Sequence, residues 1–401
     1  MIGFGFVSLL ADMVYEGARS LYGPALLALG ASAATVGLVA GAGEAMALML
    51  RLVAGPVADR RGAHWSFTIV GYALTAVCVP LMAVAPRLGA AGLVAAAVLI
   101  LLERAGKAVR SPSKSALLAH AAKAVGRGTG FGVHKALDQT GAFAGPLLVA
   151  AVVAVSASLW WGYAALAVPG AAAMAVLLLV RARVPDPTVF DPQPATGAAP
   201  SRRPGTAGAW WSAMLGARLG STFFRFAVAA ALTTGGLVSF ALVAVHLTRS
   251  LGVQAGMVPV VYAGAMLVEA VAALVTGRLF DRVGAKVLVM VPLLVAVVPP
   301  LVFGPHLGFA LAGVACWAAA VGVQDSTIKA LVADLVPARS LAGAYGVFAA
   351  VQGAFAVVGG VTAGWLLDRS VPALAALVGV TQLASLILLV ATLRGLRPAT
   401  R

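Results

Sequence analysis

The chain has 401 residues, of which 61% are hydrophobic and only 10% charged, with a formal net charge of +15. Soluble domains carry about 25% charged residues, and one soluble core rarely grows beyond roughly 250–300 residues. Mean hydropathy of +1.00 therefore excludes a soluble globular protein and predicts one integral to a membrane. Alternating ten-residue strands are absent, which excludes an outer-membrane barrel. The basic charges lie between apolar runs, so they read as topological signals rather than as a nucleic-acid surface.

A spanning helix needs about 20 mostly apolar residues. On that criterion twelve spans are expected, at 4–29, 33–54, 66–86, 91–119, 129–154, 158–180, 213–246, 255–278, 286–304, 308–335, 341–366 and 371–393. No removable signal peptide is expected, because Met1 to Leu10 runs straight into a helix carrying Asp12 and Glu16. Arg60, Arg61, Lys123, Arg127, Arg181 and Arg183 fall on one side of the membrane, and so do Arg278, Arg282, Lys286, Arg339 and Arg394. The other side receives mainly Arg87, Arg249 and Arg369. The basic side is expected to be the cytoplasm, with both termini there. Residues 181–212, broken by six prolines from Pro185 to Pro204, read as a flexible linker. They divide the chain into six-helix units at 1–180 and 213–401. Trp160, Trp161, Trp210 and Trp211 flank spans as interfacial anchors. Cys78 and Cys316 read as small apolar residues.

The two units echo each other. Gly55, Asp59, Arg60 and Gly62 between the second and third spans match Gly277, Asp281, Arg282 and Gly284 between the eighth and ninth. The spacing Gly-x-x-x-Asp-Arg-x-Gly is shared. Ala40-Gly41-Ala42 matches Ala263-Gly264-Ala265, and Gly130-Phe131-Gly132-Val133 matches Ala344-Tyr345-Gly346-Val347. Parallel six-helix repeats place a substrate site between them, near the midplane.

With these repeats the sequence resembles the major facilitator superfamily over essentially its whole length. That resemblance implies an all-α membrane fold of two pseudo-symmetric six-helix halves. It also implies a conformational latch at Asp59 and Arg60, and at Asp281 and Arg282. The basic residues that usually end the motif are degenerate in both copies. Gly141, Gly145 and Pro146 resemble the antiporter motif of drug:proton exporters, with Val149 and Ala150 replacing its glycine pair. The same residues suit plain close packing and a helix bend.

Charges inside apolar runs are costly and mark functional sites. Asp12, Glu16, Glu44, Glu103, Asp138, Glu269 and Asp325 lie in such runs. Asp12, Glu16 and Arg19 share one face of the first span, and Glu103, Lys107, Arg110 and Lys114 share one face of the fourth. Asp12, Glu16, Arg19, Glu103, Arg104, Lys107 and Asp138 are expected to form a buried charge network, with Arg110, His134, Glu269 and Asp325 as further cavity candidates; Arg110 and Lys114 can instead reach the cytoplasmic surface. The network either binds and releases a proton or statically ties helices together. Glu44 and Arg51 are expected to pair on the second span. No phosphate loop, zinc-protease pattern or nucleophile elbow appears, so no enzyme activity, cofactor, metal or nucleic-acid partner is expected. The expected function is proton-coupled efflux of a small organic solute by alternating access, by a monomer in an inner (cytoplasmic) membrane. The alternatives are proton-coupled uptake of an organic anion, zwitterion or metal complex, and a non-transporting receptor or scaffold.

Overall fold

A computed structural model describes residues 2–123, 127–186, 219–336 and 341–395. The expected linker at 181–212 lies largely outside the described residues, as do the side chains of Asp281 and Asp325. Among the described residues ten stretches are long and apolar enough to cross a membrane. One of them, His64–Ala121, holds two crossings. The first crossing escapes a hydropathy criterion because Asp12, Glu16 and Arg19 fall within its 18 residues. The fold is thus all-helical with the twelve crossings expected.

The first crossing is α1 (Ile2–Arg19) and α2 (Tyr22–Ala28). Then follow α3 (Ala33–Arg61), α4 (His64–Leu81), α5 (Gly92–Lys123) and α6 (Arg127–Ser156). The sixth crossing is α7 (Leu159–Ala165) with α8 (Ala167–Arg183), and the seventh α9 (Ser221–Gly236) with α10 (Phe240–Arg249). The last five are α11 (Val258–Val283), α12 (Met290–Val302), α13 (Leu307–Leu335), α14 (Leu341–Leu367) and α15 (Val371–Gly395).

Three of the twelve expected spans are broken, each for a local reason. A proline clashes with the carbonyl four residues earlier. Pro24 therefore interrupts the first crossing just after Arg19, and Pro169 interrupts the sixth at Leu166. In the seventh, Gly235 and Gly236 precede an extended Leu237 and Ser239. The indole Nε1 of Trp317 donates to the freed carbonyl of Val238 at 2.9 Å.

Helices α1 to α8 and α9 to α15 meet along α3–α14, α6–α11 and α2–α10. The α3–α14 seam is closest at the start of α3, where a Cβ on Gly37 would overlap the Gly360 carbonyl. A Cβ on Gly364 would likewise overlap the Ala33 carbonyl, and one on Gly23 the Ala241 carbonyl. Only glycine permits such backbone approach. This end of the bundle is further clasped by Asp368. It accepts from Arg249 Nη2 at 2.6 Å and from the first amide of α3, Ala33, at 3.2 Å. At the opposite end, which carries both ends of the described chain, Gly132 and Gly277 face open space.

Candidate functional site

The apolar face of α1 packs against α6 and α8, which turns its polar face to the interior. Small residues set that approach. A Cβ on Gly141 would overlap the Leu9 carbonyl, and one on Gly145 the Met13 carbonyl. The Gly141, Gly145 and Pro146 segment therefore serves as a packing surface that positions α1, within a continuous α6.

Between the two helix groups lies a cavity of about 740 Å³. It reaches Gly359 and Gly360, whose backbone abuts Gly235 and Gly37, and extends to Lys135, whose side chain is 68% exposed. It is therefore closed at the clasped end and open toward the end of the termini. Asp12, Glu16, Arg19, Arg104, Lys107, Arg110, Asp138 and Glu269 all line it.

The charges are extensively paired. Glu44 accepts from Arg19 Nη2 at 3.1 Å and lies 3.5 Å from Arg104 Nη1. Arg19 also reaches Glu16 at 3.7 Å. Arg104 donates to the Tyr15 hydroxyl, and its guanidinium lies 4.9 Å from that ring's centroid. Lys107 caps the same ring with Nζ 3.3 Å from the centroid. Lower in the cavity, Asp138 accepts from Ser8 Oγ at 2.5 Å and from Lys135 Nζ at 3.3 Å, with Lys114 Nζ 3.9 Å away. Arg110 donates to Thr75 Oγ1 at 2.5 Å, lies over Tyr72, and reaches Asp12 only at 4.0 Å.

The contact that joins the two helix groups within this network is Tyr262. Its hydroxyl on α11 donates to Glu16 Oε2 at 2.6 Å. The Tyr262 ring packs on Phe240 at 4.4 Å between centroids, and both pack on Trp317. Gln139 adds a second bridge, donating to the Met266 carbonyl at 3.0 Å.

Several expected placements change. Glu103 is fully buried and does not line the cavity: Tyr22 and Thr75 donate to it at 3.5 Å each, and Arg104 lies 3.9 Å away. Its position on the helix turns it toward α2 and α4. His134 is also buried outside the cavity lining, with Nε2 3.5 Å from Ser8 Oγ. Glu44 pairs with Arg19 and Arg104 rather than with Arg51, because those two guanidiniums reach it from α1 and α5. Asp59 pairs with His64 at 3.6 Å, inside its own loop. Gly62 ends α3 in the left-handed conformation at φ 59°, while Gly284 has φ 66° and ψ −155°. The two loops thus share spacing but not backbone shape. Arg282 is exposed.

Tyr15, Ser8 and Tyr262 went unrecognised in the sequence. Tyr262 carried a usable signal, since it lies two turns before Glu269 on one helical face.

The family model for the Major Facilitator Superfamily matches residues 4–236 and again 224–401. An uncharacterised protein of Mycobacterium tuberculosis, Rv2265, is 44% identical over 390 residues, covering 97% of this chain and 91% of that protein. An uncharacterised MFS-type transporter of Methanocaldococcus jannaschii, MJ1317, is 28% identical over 146 residues, covering 36% of this chain and 35% of that one. Among solved structures, a POT family transporter in complex with 5-aminolevulinic acid superposes with a TM-score of 0.74 at 13% identity, covering 98% of this chain and 96% of that one. The nucleoside transporter NupG superposes with a TM-score of 0.67 at 15% identity, covering 98% of each chain. These structures share the fold.

Proposed function

The chain belongs to the Major Facilitator Superfamily, and we propose that it is a proton-coupled secondary transporter that exports a small organic solute by alternating access. The 1–180 and 213–401 units act as the two rocking bodies, and residues 181–212 as their tether. The transporter acts as a monomer in the inner membrane, with both termini in the cytoplasm, and does no covalent chemistry. The described state then has its cavity open to the cytoplasm, ready to load solute.

The observation that carries the coupling is the Tyr262–Glu16 hydrogen bond. A carboxylate that gains or loses a hydrogen-bond donor changes its affinity for a proton. Rocking the two bodies apart along α1–α11 removes that donor from Glu16, so opening and protonation become linked. Asp138, held by Lys114 and Lys135, is the second proton site. Asp12, which is hydrogen-bonded with Asp138 and reaches Arg110 at 4.0 Å, is the third. The loops at Asp59 and Arg60, and at Asp281 and Arg282, latch in the opposite state, consistent with an Asp59 that pairs locally here.

The test is proton movement across proteoliposomes enclosing a pH-sensitive dye, screened against cationic, zwitterionic and anionic solutes. Export by exchange predicts proton flow opposite in direction to the solute. Solute movement without proton flow contradicts coupling. Co-directional flow would favour the second reading, uptake of an organic anion, which the excess of cations in the cavity supports.

A further inference from the structure

Five carboxylates line the cavity among the described residues: Asp12, Glu16, Glu44, Asp138 and Glu269. Seven cations face them, and Arg19, Arg104, Arg110, Lys114 and Lys135 each have a carboxylate within ion-pair distance. Among the described residues no carboxylate lies within ion-pair distance of Lys107 or Arg51. Lys107 rests on the Tyr15 ring, a contact that leaves ammonium protons free for an acceptor. Arg51 Nε is buried without a hydrogen-bond partner, and so is Gln324 Nε2 across the cavity on α13. Ser239 Oγ, which also lines the cavity, is a third such atom and can donate or accept; the other two are donors, and a buried donor left unpaired is costly. The surplus of the site is therefore in positive charge and hydrogen-bond donors, and the complement it lacks is an anion rich in acceptors.

The opposite wall has a different character. Leu237 from the α9–α10 break, with Phe240, Trp317, Val321 and Phe348 from α10, α13 and α14, presents apolar surface there. Charge is thus concentrated on α1, α3, α5 and α6, while the opposite wall combines this hydrocarbon with the polar Thr234, Ser239, Gln324 and Gln352 and, among the described residues, the one carboxylate Glu269.

We infer that the cavity takes an amphipathic organic anion, its carboxylate or phosphate seated between Lys107 and Arg51 and its apolar or aromatic body against Phe240, Trp317, Val321 and Phe348. The inference rests on the transporter reading for what happens to the ligand, but binding is testable alone. A hydrophilic cation would meet two positive charges without a counter-ion in contact, and a purely apolar solute would leave the donors unpaired.

The experiment is calorimetric titration of the full chain in lipid nanodiscs, with empty discs subtracted. The probes are 6-phenylhexanoate, its amide, 6-phenylhexylamine and acetate. The acid is expected to bind at least about tenfold more tightly than any of the other three, a difference of roughly 1.4 kcal/mol. Lys107→Gln removes that preference while leaving the amide unaffected, and Lys107→Arg retains it. Amine binding equal to or tighter than acid binding overturns the inference. Acetate binding as tightly as the acid overturns the apolar half of it, and no heat with the acid overturns all of it. If the acid binds as stated but no solute crosses proteoliposomes, the transporter reading fails and the ligand class stands. If other solutes move protons while the acid does not bind, the ligand class fails and the transporter reading stands.

Discussion

Tyr262 reaches from one helix group to the other to donate a 2.6 Å hydrogen bond to Glu16, which also lies 3.7 Å from Arg19. One carboxylate is therefore bound both by its own helix and by the facing helix group. Replacing Tyr262 by Phe keeps the ring packed on Phe240 and Trp317 but deletes the donor. Tyr262→Phe should lower thermal stability by no more than about 1.5–3 kcal/mol, the scale of one hydrogen bond to a charged group, while weakening the link between opening and protonation. Transport rate against pH in reconstituted vesicles checks this: the variant's profile should be flatter than that of the wild type.

The clasp at the closed end predicts an asymmetric pair of variants. Asp368 holds both Arg249 and the Ala33 amide, whereas among the described residues Arg249 makes its ion pair with Asp368 alone. Exposed ion pairs contribute about 0.2–1 kcal/mol, and the α3 amide adds the contribution of a helix N-terminal acceptor. Asp368→Ala should therefore open this end more than Arg249→Ala. Alkylation of a cysteine placed at Ala31, near that end, would measure the difference as a rate.

Two glycine substitutions should separate folding from state preference. Gly145 lies against the Met13 carbonyl inside one helix group. Gly145→Val should lower stability in detergent by at least about 1–3 kcal/mol, the range for overpacking. Gly360 lies against Gly37 in the seam between groups. Gly360→Val should instead leave each group folded and drive the closed end open, read by the same alkylation assay. Equal loss of folded protein in both variants would contradict the distinction.

Glu103 is expected to be structural. It is fully buried off the cavity, within reach of Tyr22, Thr75 and Arg104. Glu103→Gln should lower thermal stability yet preserve the stoichiometry of protons to solute. A changed stoichiometry would move Glu103 into the coupling path.

Much of this arrangement was legible because charge in hydrocarbon is so constrained. Asp12, Glu16, Arg19, Arg104, Lys107 and Asp138 were separable from topology-setting charges by their place inside apolar runs, and all six line the cavity. Spacing alone could not resolve angles between neighbouring helices. A rotation of one residue on α5 sends Glu103 into packing and Arg104 to the cavity. Partner choice was equally hidden, since Glu44 finds Arg19 and Arg104 on other helices rather than Arg51 on its own. Helix breaks at Leu166 and Leu237 followed from Pro169 and from the Gly235–Gly236 pair, which hydropathy averages away.

The central claim is that Glu16 carries the proton whose binding is tied to the opening of the cavity. The most direct measurement compares wild type and Glu16→Gln in proteoliposomes, using the first solute that moves protons in the screen. Glutamine can still accept from Tyr262 but cannot titrate. The account predicts that Glu16→Gln retains solute exchange at equal concentrations on both sides and loses uphill movement driven by a pH gradient. Uphill movement at the wild-type rate in Glu16→Gln would contradict it.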